Sequence, residues 1–305
     1  MSARDVLILL STHNGAAYLR EQLASLRDQT VAERIHLMVR DDGSDDTTVS
    51  ILTSADTGAM TIQVDHGSPL GARDSFATLM RAAPPTFPVV MFCDQDDLWE
   101  PDKVEIARQV ILDADPSRPT LSCGRSTIID QTGHLVGVTE DAPTNLDFAH
   151  ALFHNIAPGH TMAFNQALTR LSATTIGPYA VMHDWWTYCV AAGLGEVIFD
   201  STPHARYRQH DHNEIGYAAG PVQRLIARAR RLLGEDRGLV TRQAAGLRTT
   251  IGDRLKPADQ AMVAELLDQS SLAKRLAFLR RHPLTTPAGR AAIPSTLLFA
   301  AGRYR

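Results

Sequence analysis

The stretch VVMFCDQDDLWEPDK, residues 89–103, sets an apolar run directly against a cluster of carboxylates. Residues 89–93 are all apolar, which is typical of a buried strand, and Asp94, Asp96 and Asp97 follow at once. Ionised carboxylates this close together repel one another and are costly near an apolar interior. The sequence therefore predicts that something positively charged lies at the end of this strand.

A divalent cation is the simplest partner for these carboxylates. Mg²⁺ and Mn²⁺ prefer oxygen ligands and often share them with a diphosphate, so Asp94-x-Asp96, with Asp97 beside it, predicts such an ion. An alternative is an Asp-rich turn in which Asp97 or Glu100 caps the next helix. Capping accounts for one carboxylate and not for three, so the metal interpretation is favoured.

Upstream of this cluster, short apolar runs alternate with segments of helical periodicity. Strands are predicted at 6–11, 35–40, 60–66 and 89–93. Helices are predicted at about 19–26, 47–55, 73–83 and 101–114, the last with Pro101 at its first position. This alternation indicates an α/β fold with a mostly parallel sheet and helices on both faces.

The polar residues of this half follow the predicted strands. STHNG (11–15), RDDGSDD (40–46) and DQDD (94–97) each come directly after a strand. In open parallel sheets, ligands bind outside the carboxyl ends of the strands. We therefore expect the three clusters to meet there and to form one binding site.

After residue 120 the pattern is looser. We expect two strands within 120–137, helices at 147–155 and 183–195, a strand at 159–165, an extended pair within 196–210 and mainly helix from 217 to 305. The 305 residues are 44% hydrophobic and 21% charged, which is typical of a globular protein. A net charge of −4 gives no reason to expect a nucleic-acid partner. Three widely spaced cysteines favour a cytoplasmic location over a disulfide framework.

Six motifs resemble glycosyltransferase family 2, the inverting GT-A transferases that use nucleotide sugars. In order they are LLSTHNGAAYLREQLASLRDQT, VRDDGSDDTT, FCDQDDLWEPDK, PGHTMAFN, HDWW and YRQHDHNEIG. The tryptophan after DQDD and the YRQH element are most similar to the rhamnosyltransferase branch of bacterial surface polysaccharide synthesis. The resemblance implies a GT-A catalytic domain at 1–216, with a nucleotide-sugar half (1–115) and an acceptor half (116–216), and a helical region at 217–305.

The resemblance also implies roles for individual residues. The residues that would contact nucleotide or substrate are Ser11, Thr12, Asn14, Asp41, Asp42, Asp94 and Gln95. From side-chain chemistry alone, Trp185 is predicted to stack on a sugar, and Arg208 is predicted to contact phosphate, the alternative being that it pairs with neighbouring acids. Asp96, Asp97 and His210 would hold Mg²⁺ or Mn²⁺, and Asp184 lies where the family keeps its catalytic base. One departure is His160, where a small residue or Cys is expected, and this change would alter the acceptor pocket.

The residues support this chemistry without the family name. Transfer from a nucleotide diphosphate requires a leaving group whose charge is neutralised, and an acceptor hydroxyl that is deprotonated as it attacks. Asp184 precedes Trp185 and Trp186, and an apolar wall makes a carboxylate a better base. Alternatively Asp184 is a helix N-cap, and the two indoles pack in the core instead of stacking on a sugar.

The segment 221–234 is predicted to be a basic amphipathic helix, with Arg224, Arg228 and Arg231 opposite its apolar side. Such a helix can lie on the inner face of an anionic membrane, or it can pack on the catalytic domain. Membrane contact would suit a lipid-linked acceptor. The expected partners are thus a dTDP-, UDP- or GDP-sugar donor and a glycan or lipid-linked acceptor.

Two other functions compete with sugar transfer. A nucleotidyltransferase shares the α/β plan and an acidic metal site, but it usually opens with a Gly-rich phosphate loop, whereas STHNGAAYLREQ is poor in glycine. A non-catalytic module that binds nucleotide sugars would need a broken base or metal site, and neither is evident.

Overall fold

The computed structural model describes residues 4–141, 145–210, 238–284 and 293–300. The strands in these ranges are β1 (Val6–Thr12), β2 (Ile35–Asp41), β3 (Thr61–His66), β4 (Val89–Cys93), β5 (Leu98–Trp99), β6 (Thr120–Gly124), β7 (Thr127–Ile129), β8 (Leu135–Val138), β9 (Ala163–Asn165), β10 (Glu196–Asp200) and β11 (Ala205–Arg208). Among the described residues they form a seven-stranded sheet, in the order β10-β6-β9-β4-β1-β2-β3, and a four-stranded sheet, in the order β5-β11-β7-β8.

Helices cover the large sheet and continue beyond it. In the described ranges they are α1 (Leu19–Arg27), α2 (Thr48–Thr53), α3 (Ala72–Ala82), α4 (Lys103–Asp113), α5 (Phe148–Phe153), α6 (Gln166–Thr175), α7 (His183–Leu194), α8 (Leu239–Ile251), α9 (Pro257–Leu267), α10 (Leu272–Arg281) and α11 (Ile293–Ala300). Short 3₁₀ turns occur at Ala32–Arg34, Gly159–Thr161 and Gly252–Arg254. The predicted α/β class is confirmed.

The four predicted strands of the first half form a parallel group within the large sheet. β1 pairs in parallel with β2 and β4, and β2 pairs in parallel with β3. In this register Thr12 lies opposite Asp41, and Leu10 lies opposite Cys93. The polar segments that follow these strands therefore start at one edge of the sheet, as the sequence predicts.

The second half differs from the prediction in several places. β9 runs antiparallel between β4 and β6, and residues 120–137 form three strands instead of two, divided between the sheets. The extended pair predicted at 196–210 is likewise divided: β10 joins the large sheet and β11 the small one. Gly124 and Asp200 are the last paired residues of β6 and β10, and the amide of Arg125 donates to the carbonyl of Asp200 just beyond them.

Two helices also differ from the prediction. The fourth helix begins at Lys103 and not at Pro101, because residues before it form the short strand β5 and a turn. Helix α6 is not predicted from the sequence. Asn165 caps it by accepting a hydrogen bond from the Leu168 amide, so Asn at the end of a strand is the signal that could have found it.

The described carboxy-terminal helices pack against the α/β part of the chain. Val240, Ala244 and Leu247 of α8 are buried in the same hydrophobic cluster as Trp186 of α7. A Cβ atom at Gly246 would lie 3.1 Å from the Trp186 ring, so glycine permits this close contact. The predicted basic helix at 221–234 lies outside the described residues. Within those residues, the structure has no helix long and apolar enough to cross a bilayer.

Candidate functional site

The carboxylates after β4 occupy different environments. The Asp94 side chain is 36% exposed, whereas Asp97 is completely buried. Asp96 lies between them in exposure, and its Oδ2 is 2.8 Å from Nε2 of His210. The structure therefore brings Asp96 and His210 together, although they are 114 positions apart in the sequence.

Asp97 faces a second histidine, which belongs to the 3₁₀ turn Gly159–Thr161. Nδ1 of His160 lies 3.4 Å from Oδ2 of Asp97 and 3.8 Å from Oδ2 of Asp94. The other ring nitrogen, Nε2, lies 2.7 Å from Oγ of Ser126, and the ring stacks on Tyr207 at a centroid distance of 4.9 Å. Asp94, Asp97 and His160 each offer one ligand atom, and these three atoms all lie within 4.8 Å of one another. The three side chains can therefore share a metal ion.

Burial and charge shift the pKa values of this group. Burial raises the pKa of the Asp97 carboxyl to about 7, and the neighbouring Asp96 and Asp94 carboxylates add to this effect. Burial alone would lower the pKa of His160, but the charge of Asp97 raises it. Burial, followed by the charge of Asp94, also raises the pKa of Asp96. The cluster therefore favours a bound proton or another cation.

Arg208, at the end of β11, holds the acidic loop in place. Its amide donates to Oδ1 of Asp97 and its Nε donates to the carbonyl of Asp96. The remaining guanidinium nitrogens donate to the Gln131 carbonyl and to Glu21. Sequence analysis predicts that Arg208 contacts the substrate. In the structure its guanidinium group instead donates to protein groups. Arg208 therefore positions the acidic loop.

The loops after β1 and β2 are tied together by short polar side chains. Oγ1 of Thr12 donates to Asp41, which also accepts hydrogen bonds from the amide and hydroxyl of Ser44. Asn14 has a φ of 48°, and its side-chain oxygen accepts a hydrogen bond from the Asp45 amide. These contacts bring Thr12, Asn14 and Asp41 to one place, as predicted from the sequence.

Two further contacts complete this side. Gln95 exchanges two hydrogen bonds with the backbone of His13, which links the acidic loop to the loop after β1. Oγ of Ser11 lies 2.6 Å from Oγ of Ser75, which links β1 to α3. Ser11 and Gln95 are therefore both at the edge where the sequence places them.

The carboxylate of Asp42 is engaged with the loop that precedes α3. It forms an ion pair with Arg40 and accepts hydrogen bonds from the amides of Leu70 and Gly71. Burial alone would raise its pKa, but these hydrogen bonds hold it below its usual value. A cleft of about 220 Å³ lies beside this loop, and Met182 on the other wall precedes α7.

Asp184 is the second residue of α7 and is held by three donors. Its Oδ2 accepts hydrogen bonds from Nδ2 of Asn155 at 3.0 Å and from the Gly159 amide at 3.2 Å. Its Oδ1 accepts one from the Trp185 amide at 2.6 Å. The N-cap of α7 is Met182, so Asp184 is not the cap residue that the alternative requires.

The two tryptophans beside Asp184 have different environments. Trp186 is fully buried, and its Nε1 donates to Oγ1 of Thr175, as the core-packing interpretation requires. Trp185 is half-buried, and its Nε1 donates to the carbonyl of Ala151. Trp185 therefore keeps part of its surface accessible, whereas Trp186 has none.

Comparisons with known proteins agree with this geometry. The model of the Glycosyl transferase family 2 matches residues 7–132. This match lies in the amino-terminal part of the chain and, with the relatives that follow, supports a glycosyltransferase. It is 24% identical to the dTDP-rhamnosyl transferase RfbG of Shigella flexneri over 231 residues, which cover 68% of this chain and 73% of the relative. An uncharacterized glycosyltransferase of Rickettsia typhi is 26% identical over 223 residues, covering 72% and 68% of the two chains.

Solved structures share the fold of this glycosyltransferase. A crystal structure of residues 1–349 of S. aureus TarS in complex with UDP-GlcNAc superposes with a TM-score of 0.58. The superposition covers 98% of this chain and 89% of that chain, at 14% sequence identity. At this identity the similarity establishes the fold.

Three residues that contact or adjoin the candidate site are not assigned to it by sequence reasoning. Ser126 and Asn155 contact His160 and Asp184, respectively, and neither lies in a motif that points to that contact. His183 is buried against Phe76, and neither of its ring nitrogens has a hydrogen-bond partner. Its position beside Asp184 in HDWW is the signal that could have found it.

Proposed function

We propose that this family 2 glycosyltransferase moves a sugar from a nucleotide diphosphate to a hydroxyl of a glycan or lipid-linked acceptor in cell-surface polysaccharide synthesis. The proposed donor is dTDP-rhamnose, and the similarity to a dTDP-rhamnosyl transferase supports this choice. UDP- and GDP-sugars are the alternatives. The TarS structures, which contain UDP-GlcNAc or UDP, support a nucleotide-sugar donor in general.

One observation carries the proposal. The turn at Gly159 and His160 contacts both the candidate base and the acidic loop. The Gly159 amide donates to Asp184, and the His160 ring faces Asp94 and Asp97. The acidic loop and the candidate base are therefore neighbours around a single turn. Transfer of a sugar needs this arrangement, because the leaving diphosphate and the attacking hydroxyl lie on opposite sides of one carbon atom.

The donor nucleotide would lie along the edge formed by the loops after β1, β2 and β4. We assign its contacts to Ser11, Thr12, Asn14, Asp41, Asp42, Asp94 and Gln95. Because the Asp42 carboxylate holds Leu70 and Gly71, its role is to shape the wall of the adjoining cleft. Arg208 acts through the acidic loop, which it holds by Asp96 and Asp97.

A divalent cation, Mg²⁺ or Mn²⁺, fits the acidic loop. The fit rests on Oδ2 of Asp97, which is buried without a hydrogen-bond partner, and on the close ligand atoms of Asp94 and His160. When bound, such an ion neutralises the negative charge that develops on the leaving diphosphate. We propose that Asp96 and His210, at the more open side, face the diphosphate.

Asp184 is the proposed general base. Its carboxylate would take the proton of the acceptor hydroxyl as that oxygen bonds to the anomeric carbon. Asn155 and Gly159 fix its Oδ2, and the Trp185 amide fixes Oδ1, so the group is held in one orientation. The accessible part of Trp185 would contact the acceptor sugar or the transferred sugar.

We also propose that the enzyme works in the cytoplasm, with peripheral contact to the inner face of the membrane through the basic segment 221–234. That segment is outside the described residues, so the proposal rests on its sequence pattern. Contact with an anionic surface would place the site near a lipid-linked acceptor.

The test is product release from the wild-type protein. dTDP-rhamnose, UDP-sugars and GDP-sugars are incubated with and without an acceptor and EDTA, and the released nucleotide is measured. The proposal predicts acceptor-dependent release of dTDP that EDTA abolishes. Release of pyrophosphate from nucleoside triphosphates would instead show a nucleotidyltransferase, and donor binding without any release would show a binding module.

A further inference from the structure

We propose that His160 is a direct nitrogen ligand of the divalent cation, together with Asp94 and Asp97, and that it makes the site prefer Mn²⁺ over Mg²⁺. The inference rests on the metal dependence proposed above. It keeps Asp97 as a ligand and replaces Asp96 and His210, which the family resemblance implies, with Asp94 and His160.

The spacing of the three side chains suits one ion. Nδ1 of His160 is 3.4 Å from Oδ2 of Asp97 and 3.8 Å from Oδ2 of Asp94. In an octahedral site with bonds of about 2.1 Å, neighbouring ligand atoms are about 3.0 Å apart and opposite ones about 4.2 Å. The observed distances lie between these values, so small side-chain adjustments complete the site.

The oxygen Oδ2 of Asp97 supplies an independent argument. It is buried, it has no hydrogen-bond partner, and it points at the His160 ring. A buried polar atom without a partner is costly, and a bound ion removes that cost. Asp96 and His210 differ, because their atoms approach to 2.8 Å and already form a hydrogen bond with each other.

Ser126 and Tyr207 fix the orientation of the imidazole. Oγ of Ser126 lies 2.7 Å from Nε2, and the Tyr207 ring stacks on His160 with an angle of 7° between the planes. When Nε2–H donates to Ser126, Nδ1 carries the lone pair and turns it toward Asp94 and Asp97. Histidines that bind metals are commonly held through the opposite ring nitrogen in this way.

The preference for Mn²⁺ follows from the nitrogen ligand. Mg²⁺ favours sites made only of oxygen and gives up its water molecules reluctantly. Mn²⁺ is a first-row transition-metal ion, and although it binds most weakly in that series, it accepts an imidazole ligand more readily than Mg²⁺ does. A small residue without a ligand atom at position 160 would leave a site of oxygen atoms only, without this preference.

The experiment is a titration of the full-length protein with Mn²⁺, followed by electron paramagnetic resonance, without donor or acceptor and with Mg²⁺ as competitor. The wild type should bind Mn²⁺ at least tenfold more tightly than Mg²⁺. His160→Leu should weaken Mn²⁺ binding at least tenfold, and Ser126→Ala should weaken it less. The matched control, His210→Leu, should change it less than threefold. Loss of Mn²⁺ binding in His210→Leu, with binding retained in His160→Leu, would overturn the inference.

A second measurement does not depend on the folding of the His160 variant. Electron spin echo modulation from Mn²⁺ bound to the wild type should show a directly coordinated imidazole nitrogen, and His210→Leu should keep that signal. A wild-type spectrum without nitrogen coupling would refute the assignment. Because no donor is present, nitrogen coupling in a protein that transfers no sugar would leave this inference standing while the proposed function fails.

Discussion

The two sides of the site carry different kinds of side chain. The side formed by the loops after β1, β2 and β4 contributes mostly carboxylates, and it lies within the 7–132 segment that the family model matches. The later part of the chain contributes the groups that contact those carboxylates, namely His160, Arg208 and His210. It also contributes Asp184. The first side would therefore bind the proposed donor, whereas the cationic partners of Asp96 and Asp97 and the proposed base come from the later part of the chain.

The largest expected effect is on the later side. Asp184→Asn keeps the shape of the side chain but loses its basicity, so transfer at saturating donor and acceptor should fall by about 10²–10⁴-fold. Donor affinity, measured by calorimetry, should stay within threefold, since the base faces the acceptor. The control is Asp147→Asn, which changes a carboxylate that caps α5. A fall of less than tenfold in the Asp184 variant would show that this carboxylate is structural.

The next effect is on the first side. Asp42→Ala removes the acceptor for the Leu70 and Gly71 amides and leaves Arg40 without its partner. Donor KM should rise by roughly tenfold, whereas kcat should change less, because these contacts are similar in the ground and transition states. Asp42→Asn keeps an acceptor oxygen, so its donor KM should lie between those of the wild type and Asp42→Ala. Equal losses of kcat and kcat/KM would show that the two sides are not separable.

A smaller effect concerns the contact between the sides. The folded-state pKa of Asp97 is raised to about 7, so in the metal-free protein its stabilising contribution is lost as pH rises through 7. The free energy of unfolding in EDTA should therefore fall by more than about 1 kcal/mol between pH 6 and pH 8. Asp97→Asn should flatten this dependence. If the free energy of unfolding of Asp97→Asn depends on pH as steeply as that of the wild type, the dependence arises from another group.

The smallest effect on the chemistry should come from the basic segment 221–234, none of whose residues is assigned to the site. Replacing Arg224, Arg228 and Arg231 with Glu should abolish sedimentation with anionic liposomes at low salt. Transfer to a soluble acceptor analogue should stay within twofold, because neither side of the site is changed. If wild-type protein does not sediment with these liposomes, the membrane contact is refuted.

The difference between the sides also explains what the sequence could predict. Apolar runs such as 6–11 and 89–93 alternate with helices, and parallel strands place their carboxyl ends together, so the first side follows from periodicity alone. The later side depends on contacts between distant residues. His160 meets Asp97 only because the antiparallel strand β9 carries its turn to the edge of β4. No local pattern encodes that pairing, and the role predicted for His160 concerned the acceptor pocket.

The sequence also predicted the candidate residues better than their partners. Asp96 and His210 were predicted at one site and lie 2.8 Å apart. Arg208 was predicted to contact substrate, but its side chain binds Glu21 and two backbone carbonyls. A long buried cation can satisfy many partners, and the sequence gives no signal of which partners the fold supplies.

The central claim is that one carboxylate deprotonates the acceptor while the sugar moves directly from the diphosphate. The most direct measurement is the anomeric configuration of the product, read by proton NMR from the reaction of the wild type with its preferred donor. Direct displacement predicts a product whose anomeric configuration is opposite to that of the donor. A product with the donor's configuration retained would contradict the account, because Asp184 would then not be acting as the base of a single displacement.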